Sequence, residues 1–221
     1  MEWDVAAGDC VFRWASRPGT PHASPFIYNK PTLRNDGFMV GFLPPRPAVV
    51  WFTGLSGAGK STIAEHLRQR LQASGAEVEL LDGDALRLMF PGTGFTRPER
   101  DAHIRRVGHL ASRLEAHGVV VLASLVSPYR DSRAFVRSLC REFVEVHVAT
   151  PFDVCEQRDT KGLYAQARAG RLPQFSGLDD PYEAPEHPEI VIDTTTVPAV
   201  DAAARVVEYL TRPRTVAHPG V

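Results

Sequence analysis

The chain has 221 residues, 43% hydrophobic and 23% charged, enough for one domain with a full core. Its formal net charge of -1 excludes a general nucleic-acid binder, because any basic surface has to be local. It has no run of about 18 apolar residues and no signal-peptide pattern at Met1-Glu2-Trp3-Asp4, so a soluble cytoplasmic protein without a membrane partner is expected.

Residues 1–45 carry no clean period. Prolines at 18, 21, 25, 31, 44, 45 and 47, with aromatics such as Trp3, Trp14 and Phe26, predict an extended arm docked on the domain or on a partner subunit. From Pro47 strands alternate with helices. The apolar run 48–53 reads as a strand, and Gly54-Leu55-Ser56-Gly57-Ala58-Gly59-Lys60-Ser61-Thr62 follows it with the G-x-x-x-x-G-K-[ST] spacing intact. Glycines let backbone N–H groups wrap a polyphosphate, Lys60 reaches its outer phosphates, and the Ser61 hydroxyl suits Mg²⁺. Ile63, Leu67 and Leu71 then recur at helical spacing through residues 62–74, which sets a helix N-terminus against the anion.

A second strand, 78–81, ends in Asp82-Gly83-Asp84, and Ile104, Val107, Leu110, Ala111 and Leu114 mark a helix over about 98–117. The run 119–125 reads as a central strand buried on both faces, 132–141 as a helix, and 144–149 as the next strand. A long charged stretch follows before the strand 190–192 and the helix 199–210. The expected architecture is an α/β three-layer sandwich, a mostly parallel sheet with helices on both faces. Cys10, Cys140 and Cys155 match no zinc or redox spacing and read as buried thiols.

Ligands bind such sheets at the carboxyl ends of the strands. Asp82 and Asp84 are therefore candidates for holding Mg²⁺ through water and for taking the proton of an acceptor hydroxyl; capping the next helix is the alternative for each. Arg87, Arg105, Arg106 and Arg130 cluster where an anionic acceptor would lie. Neighbouring helix residues point about 100° apart, so only one of Arg105 and Arg106 is expected to face the site. The charged stretch, about 158–185, reads as a mobile lid that excludes water, with Arg158 and Lys161 adding charge. Phe95 and Phe175 suit sandwiching a base, with core burial the alternative for either.

Together these segments resemble one family, the adenylyl-sulfate (APS) kinases, P-loop enzymes that phosphorylate the ribose 3′-hydroxyl of APS with ATP to give PAPS. The resemblance runs from Val49 to the last helix. Beyond the phosphate loop it rests on Leu81-Asp82-Gly83-Asp84 with Arg87, Gly94-Phe95, Ile104-Arg105-Arg106 and Ser127-Pro128-Tyr129. Its most specific parts are Arg158-Asp159-x-Lys161-Gly162-Leu163-Tyr164 and the run from Phe175-Ser176-Gly177 to Pro181-Tyr182-Glu183. It implies that residues 54–62 and Arg158 bind ATP, that Lys60 and Ser61 hold ATP and Mg²⁺, and that Asp84 acts at the acceptor hydroxyl with Asp82. Arg87, Arg105 and Arg106 would grip the phosphosulfate, Phe95 and Phe175 would stack on adenine, and Ser127 would lie at the acceptor site. Lys161, Gly162 and Leu163 would bind the acceptor, Lys161 as part of the mobile lid, in a kinase domain spanning 46–212 and followed by a tail at 213–221. It also implies a homodimer. Two segments depart from the family: Leu88-Met89-Phe90-Pro91 stands where Gly-Leu-Asn is usual after the arginine, and Ala102-His103 where Glu-Asn is usual. Both fall on the acceptor side, which leaves a different adenylate or hydroxylated small molecule as the alternative acceptor. A nucleotide-binding regulator without turnover is the alternative of another class.

Overall fold

The structure, a computed structural model, describes residues 45–90 and 92–212 and the backbone of two short strands near the N-terminus. Two compact units make up the chain, Met1–Val40 and Gly41–Val221. In the first, β1 (Val5–Ala6) and β2 (Asp9–Cys10) pair antiparallel, with Val5 opposite Cys10. The remainder of the expected arm, up to residue 44, and the tail at 213–221 lie outside the described residues.

The second unit is built on a five-stranded parallel sheet in the order β4-β5-β3-β6-β7. Its strands are β3 (Val49–Thr53), β4 (Val78–Asp82), β5 (Val120–Ser124), β6 (Phe143–Val148) and β7 (Ile190–Ile192). All five residues of β3 are fully buried, as a central strand covered on both faces requires. Side chains alternate across a strand, and the two faces of β3 seed two cores. Val50 and Phe52 pack with Ile63, Leu67 and Leu71 of α1 (Lys60–Ala73) and with Ala203 and Val206 of α7 (Ala199–Thr211). Val49 and Trp51 pack with Ile104, Val107 and Ala111 of α3 (Arg97–Ala116) and with Val136 of α4 (Arg130–Leu139).

The chain leaves β3 for partners on both sides, so a crevice opens at its carboxyl end, where the switch-point rule puts ligands. Around that crevice stand α2 (Gly83–Met89), the start of α3, and two helices absent from the sequence reading, α5 (Phe152–Arg158) and α6 (Leu163–Arg168). α3 starts at a capping box, in which Thr96 Oγ1 accepts from the Glu99 N–H at 3.4 Å and Glu99 Oε2 from the Thr96 N–H at 3.0 Å. No helix among the described residues is long and apolar enough to cross a membrane.

Candidate active site

A single cavity of about 450 Å³ runs along this crevice, walled by residues following β3, β4 and β5 and by the segments around α3, α5 and α6. At its floor Gly59, with φ of 103°, holds a left-handed conformation that turns the chain into α1, so the first helical N–H groups face the cavity. Lys60 is buried, and its Nζ donates to the Gly54 and Leu55 carbonyls at 2.9 and 2.8 Å. Burial draws its ammonium down to about 8, which an anion beside it would reverse. Behind the loop, Ala58 O accepts from Thr150 Oγ1 at 2.9 Å and from Thr194 Oγ1 at 3.0 Å. Arg158 reaches over the same edge, donating to Thr194 Oγ1 at 2.7 Å and to Gly57 O at 3.3 Å.

Asp82 combines both of its expected roles. Its Oδ1 accepts from the Asp84 and Ala85 N–H groups at 3.0 and 3.4 Å and caps α2, while Oδ2 accepts from Ser61 Oγ at 3.2 Å. Ser124 Oγ lies 3.1 Å from the same Ser61 hydroxyl. A hydroxyl and a carboxylate side by side at a phosphate loop fit Mg²⁺, a hard ion that takes few protein ligands and completes its shell with phosphate and water. Asp84 points into the cavity mouth and is ion-paired with Lys161 Nζ. Both side chains are more than half exposed, which limits such a pair to under about 1 kcal/mol and lets a ligand displace it.

The opposite wall is aromatic and cationic. Phe95 is 45% exposed, with the Arg87 guanidinium 4.5 Å and the Arg100 guanidinium 5.5 Å from its ring centroid. Phe175 also lines the cavity but is 8% exposed and packs edge to face on Tyr164 at 4.8 Å, so it serves site and core together. Arg87 donates to the Gly94 carbonyl at 3.1 Å, and Arg100 to the Phe95 and Gln174 carbonyls. Burial, then the Arg100 charge, holds the Arg87 guanidinium below its usual range: two cations share a sheltered wall with carbonyls for partners. His103 completes it. The ring is 1% exposed, and neither nitrogen has a hydrogen-bond partner among the described residues. Burial, then the charges of Arg87 and Arg106, push its imidazole down to about 4, so it is neutral at pH 7.

Of the residues singled out in the sequence, Ser56, Gly57, Gly59, Lys60, Ser61, Thr62, Asp82, Asp84, Arg87, Phe95, Ser127, Arg158, Lys161, Leu163 and Phe175 line this one cavity. Gly54, Leu55 and Ala58 shape the loop from behind, and Gly162 starts α6 without reaching the wall. Three of the four clustered arginines lie off this cavity, including both of the Arg105–Arg106 pair, of which one was expected to face it. Arg105 stacks on Phe135 at 4.1 Å, and Arg106 lies over Phe90 at 5.9 Å and reaches Thr93 Oγ1 at 3.5 Å. Arg130 pairs with Glu186 at 2.7 Å. The inward stripe of α3 passes through Arg100, Ile104, Val107 and Ala111, which leaves Arg105 and Arg106 both beside it. Arg100 continues that stripe by one turn; a cation on an otherwise apolar face was the signal available for it.

A parallel sheet in this order, a glycine loop capping the helix after its central strand, and a hydroxyl–carboxylate pair beside the loop lysine define a P-loop kinase. The model of the adenylylsulphate kinase family matches residues 46–193. An adenylyl-sulfate kinase of Synechococcus sp. (strain JA-3-3Ab) is 53% identical over 150 residues, covering 67% of this chain and 85% of that protein. The structure of the Mycobacterium tuberculosis APS kinase in complex with AMPPNP and APS superposes with a TM-score of 0.73 at 38% identity, over 76% of this chain and all of that one. A hexameric APS kinase from Thiobacillus denitrificans gives a TM-score of 0.57 at 36% identity, over 76% of this chain and 29% of that one. The chain belongs to the adenylylsulphate kinase family, and so to the phosphotransferases that act on a hydroxyl group.

Proposed function

We propose that the protein transfers the γ-phosphoryl group of ATP to the ribose 3′-hydroxyl of APS, giving PAPS and ADP. The observation that carries this is the continuity of one cavity from Lys60 and the phosphate loop to the wall of Arg87, Arg100, Phe95 and Phe175, with Asp84 between the two ends. The loop amides and Lys60 hold the ATP phosphates, and Arg158 lies at the nucleotide's outer edge. Ser61 and Asp82 hold Mg²⁺, which when bound neutralises charge on the transferring phosphate oxygens. Arg87 and Arg100 engage the phosphosulfate, a match of guanidinium to oxyanion. Phe95 and Phe175 flank the adenine, and Ser127 lies beside the acceptor. Asp84, released from Lys161, takes the hydroxyl proton. Most of the rate gain then comes from alignment and charge neutralisation, as phosphoryl transfer generally requires.

Residues 46–212 form the catalytic domain in this reading, with 158–185 as its lid. It includes a cytoplasmic homodimer, which the family resemblance supports; sedimentation equilibrium distinguishes a dimer from a hexamer. The activity is tested by coupled ADP release with MgATP, with and without APS. The expected result is APS-dependent release that disappears in Lys60→Ala. Tight ATP binding with no APS-dependent turnover would sink the assignment.

A further inference from the structure

Ser127 follows β5 and has φ of 39°, a left-handed conformation that costs a serine about 1 kcal/mol or more. Such strain persists where the surroundings hold it in place, and they do so on every side. Arg133, 2% exposed and paired with Glu145 at 2.7 Å, donates to the Ser127 carbonyl at 2.6 Å. Thr53 Oγ1 donates to the preceding Val126 carbonyl at 2.8 Å. The third contact is to the side chain itself: Trp51 Nε1 donates to Ser127 Oγ at 3.0 Å from the middle of β3.

An indole N–H donates and never accepts. The Ser127 hydroxyl is thereby held as the acceptor of that bond, and its own hydrogen must be directed elsewhere. Ser127 lies on the cavity wall at 2% exposure, and among the described residues its Oγ makes no second hydrogen bond. Trp51 is fully buried, two residues from Thr53 and three from Gly54, where the phosphate loop starts. The strand that launches the nucleotide loop therefore also sets the one free bond of a hydroxyl on the wall of the same cavity.

We propose that Trp51 is a positioning residue. Its indole N–H fixes the Ser127 hydroxyl as a hydrogen-bond donor aimed into the cavity, where it binds an anionic oxygen of the acceptor nucleotide. The inference rests on the reading that the acceptor lies beside Ser127. It assigns a chemical task to an apolar side chain that core packing alone would otherwise explain.

The test is a double-mutant cycle of Trp51→Phe and Ser127→Ala, read as kcat and KM for APS and for ATP. Ser127→Ala is expected to lower kcat/KM for APS by roughly 10- to 100-fold, the usual effect of losing a hydrogen bond to a charged group. Trp51→Phe keeps an aromatic ring, though a smaller one, and drops the N–H; it should lower kcat/KM for APS roughly 3- to 10-fold with the ATP KM unchanged. In the Ser127→Ala background the tryptophan change should have no further effect. Independent, multiplying effects, or an unaltered Trp51→Phe enzyme, overturn the proposal. A wild-type protein with no APS-dependent turnover is a different result, which removes the acceptor reading and this inference with it.

If Trp51→Phe does not fold, the indole resonance replaces it. The only other tryptophans are Trp3 and Trp14, so substituting those assigns Trp51. Its ¹⁵N–¹H signal should move when APS is added to wild type and stay still in Ser127→Ala. A signal that responds to APS equally in both proteins refutes the coupling.

Discussion

His103 shows how a single ring can carry two meanings. It sits on the inward stripe of α3 beside Ile104 and on the cavity wall; the sequence placed it on the acceptor side as a departure from the family, without separating a packing role from a substrate contact. Its depressed pKa has a consequence for stability. Between the ordinary value of 6.5 and about 4 the unfolded chain takes up a proton that the folded chain refuses. Stability is therefore complete above pH 6.5 and falls as the pH drops, by up to about 1.4 kcal/mol per unit. In urea melts at pH 7 and pH 5, the wild-type protein should lose about 2 kcal/mol more than His103→Asn. Equal losses would rule out a neutral, buried imidazole. Arg100 continues the same stripe but was passed over, whereas Arg105 and Arg106 drew attention as an adjacent pair. The conspicuous charges turn outward, and the unobtrusive one lines the site.

At the level of elements, β3, β5 and β7 were legible as nearly unbroken apolar runs and β4 and β6 as apolar residues interrupted by single polar ones, and α1, α3 and α7 because each shows at least three turns of helical period. α5 and α6 were not, since seven and six residues are too few to display a period. What makes α6 a helix is its cap. Asp159, at the end of α5, accepts from the Tyr164 and Ala165 N–H groups at 3.0 Å each and so orders the turn that carries Lys161 and Leu163 to the cavity. Losing a cap costs about 0.5–2 kcal/mol. Asp159→Ala should therefore speed amide hydrogen exchange in α6 by roughly 2- to 30-fold and leave β3 and β5 unchanged. Acceleration spread evenly over the sheet would show that Asp159 supports the whole domain instead. Tyr164 limits how far this segment can loosen, because its ring is buried against Phe152 and Phe175.

Across the whole molecule, the nucleotide loop is tied to both cores. α1 begins at the loop and packs into one core, while β3 contributes side chains to both. A ligand held there should stabilise the entire domain. At 100 times its Kd, AMPPNP should add about 2.7 kcal/mol and raise Tm by roughly 5–10 °C; Lys60→Ala should abolish that gain in a thermal melt. A gain that persists in the variant would place the nucleotide elsewhere. The sheet order has a last effect, on synthesis. β3 lies near the start of the described chain, yet its partners in register are Val121 on one side and Phe143 on the other. A nascent chain that has emerged only as far as α4 carries the full motif from Gly54 to Ser61 without the strand that completes its bed. Nucleotide recognition is therefore expected only once β6 has joined the sheet, late in synthesis.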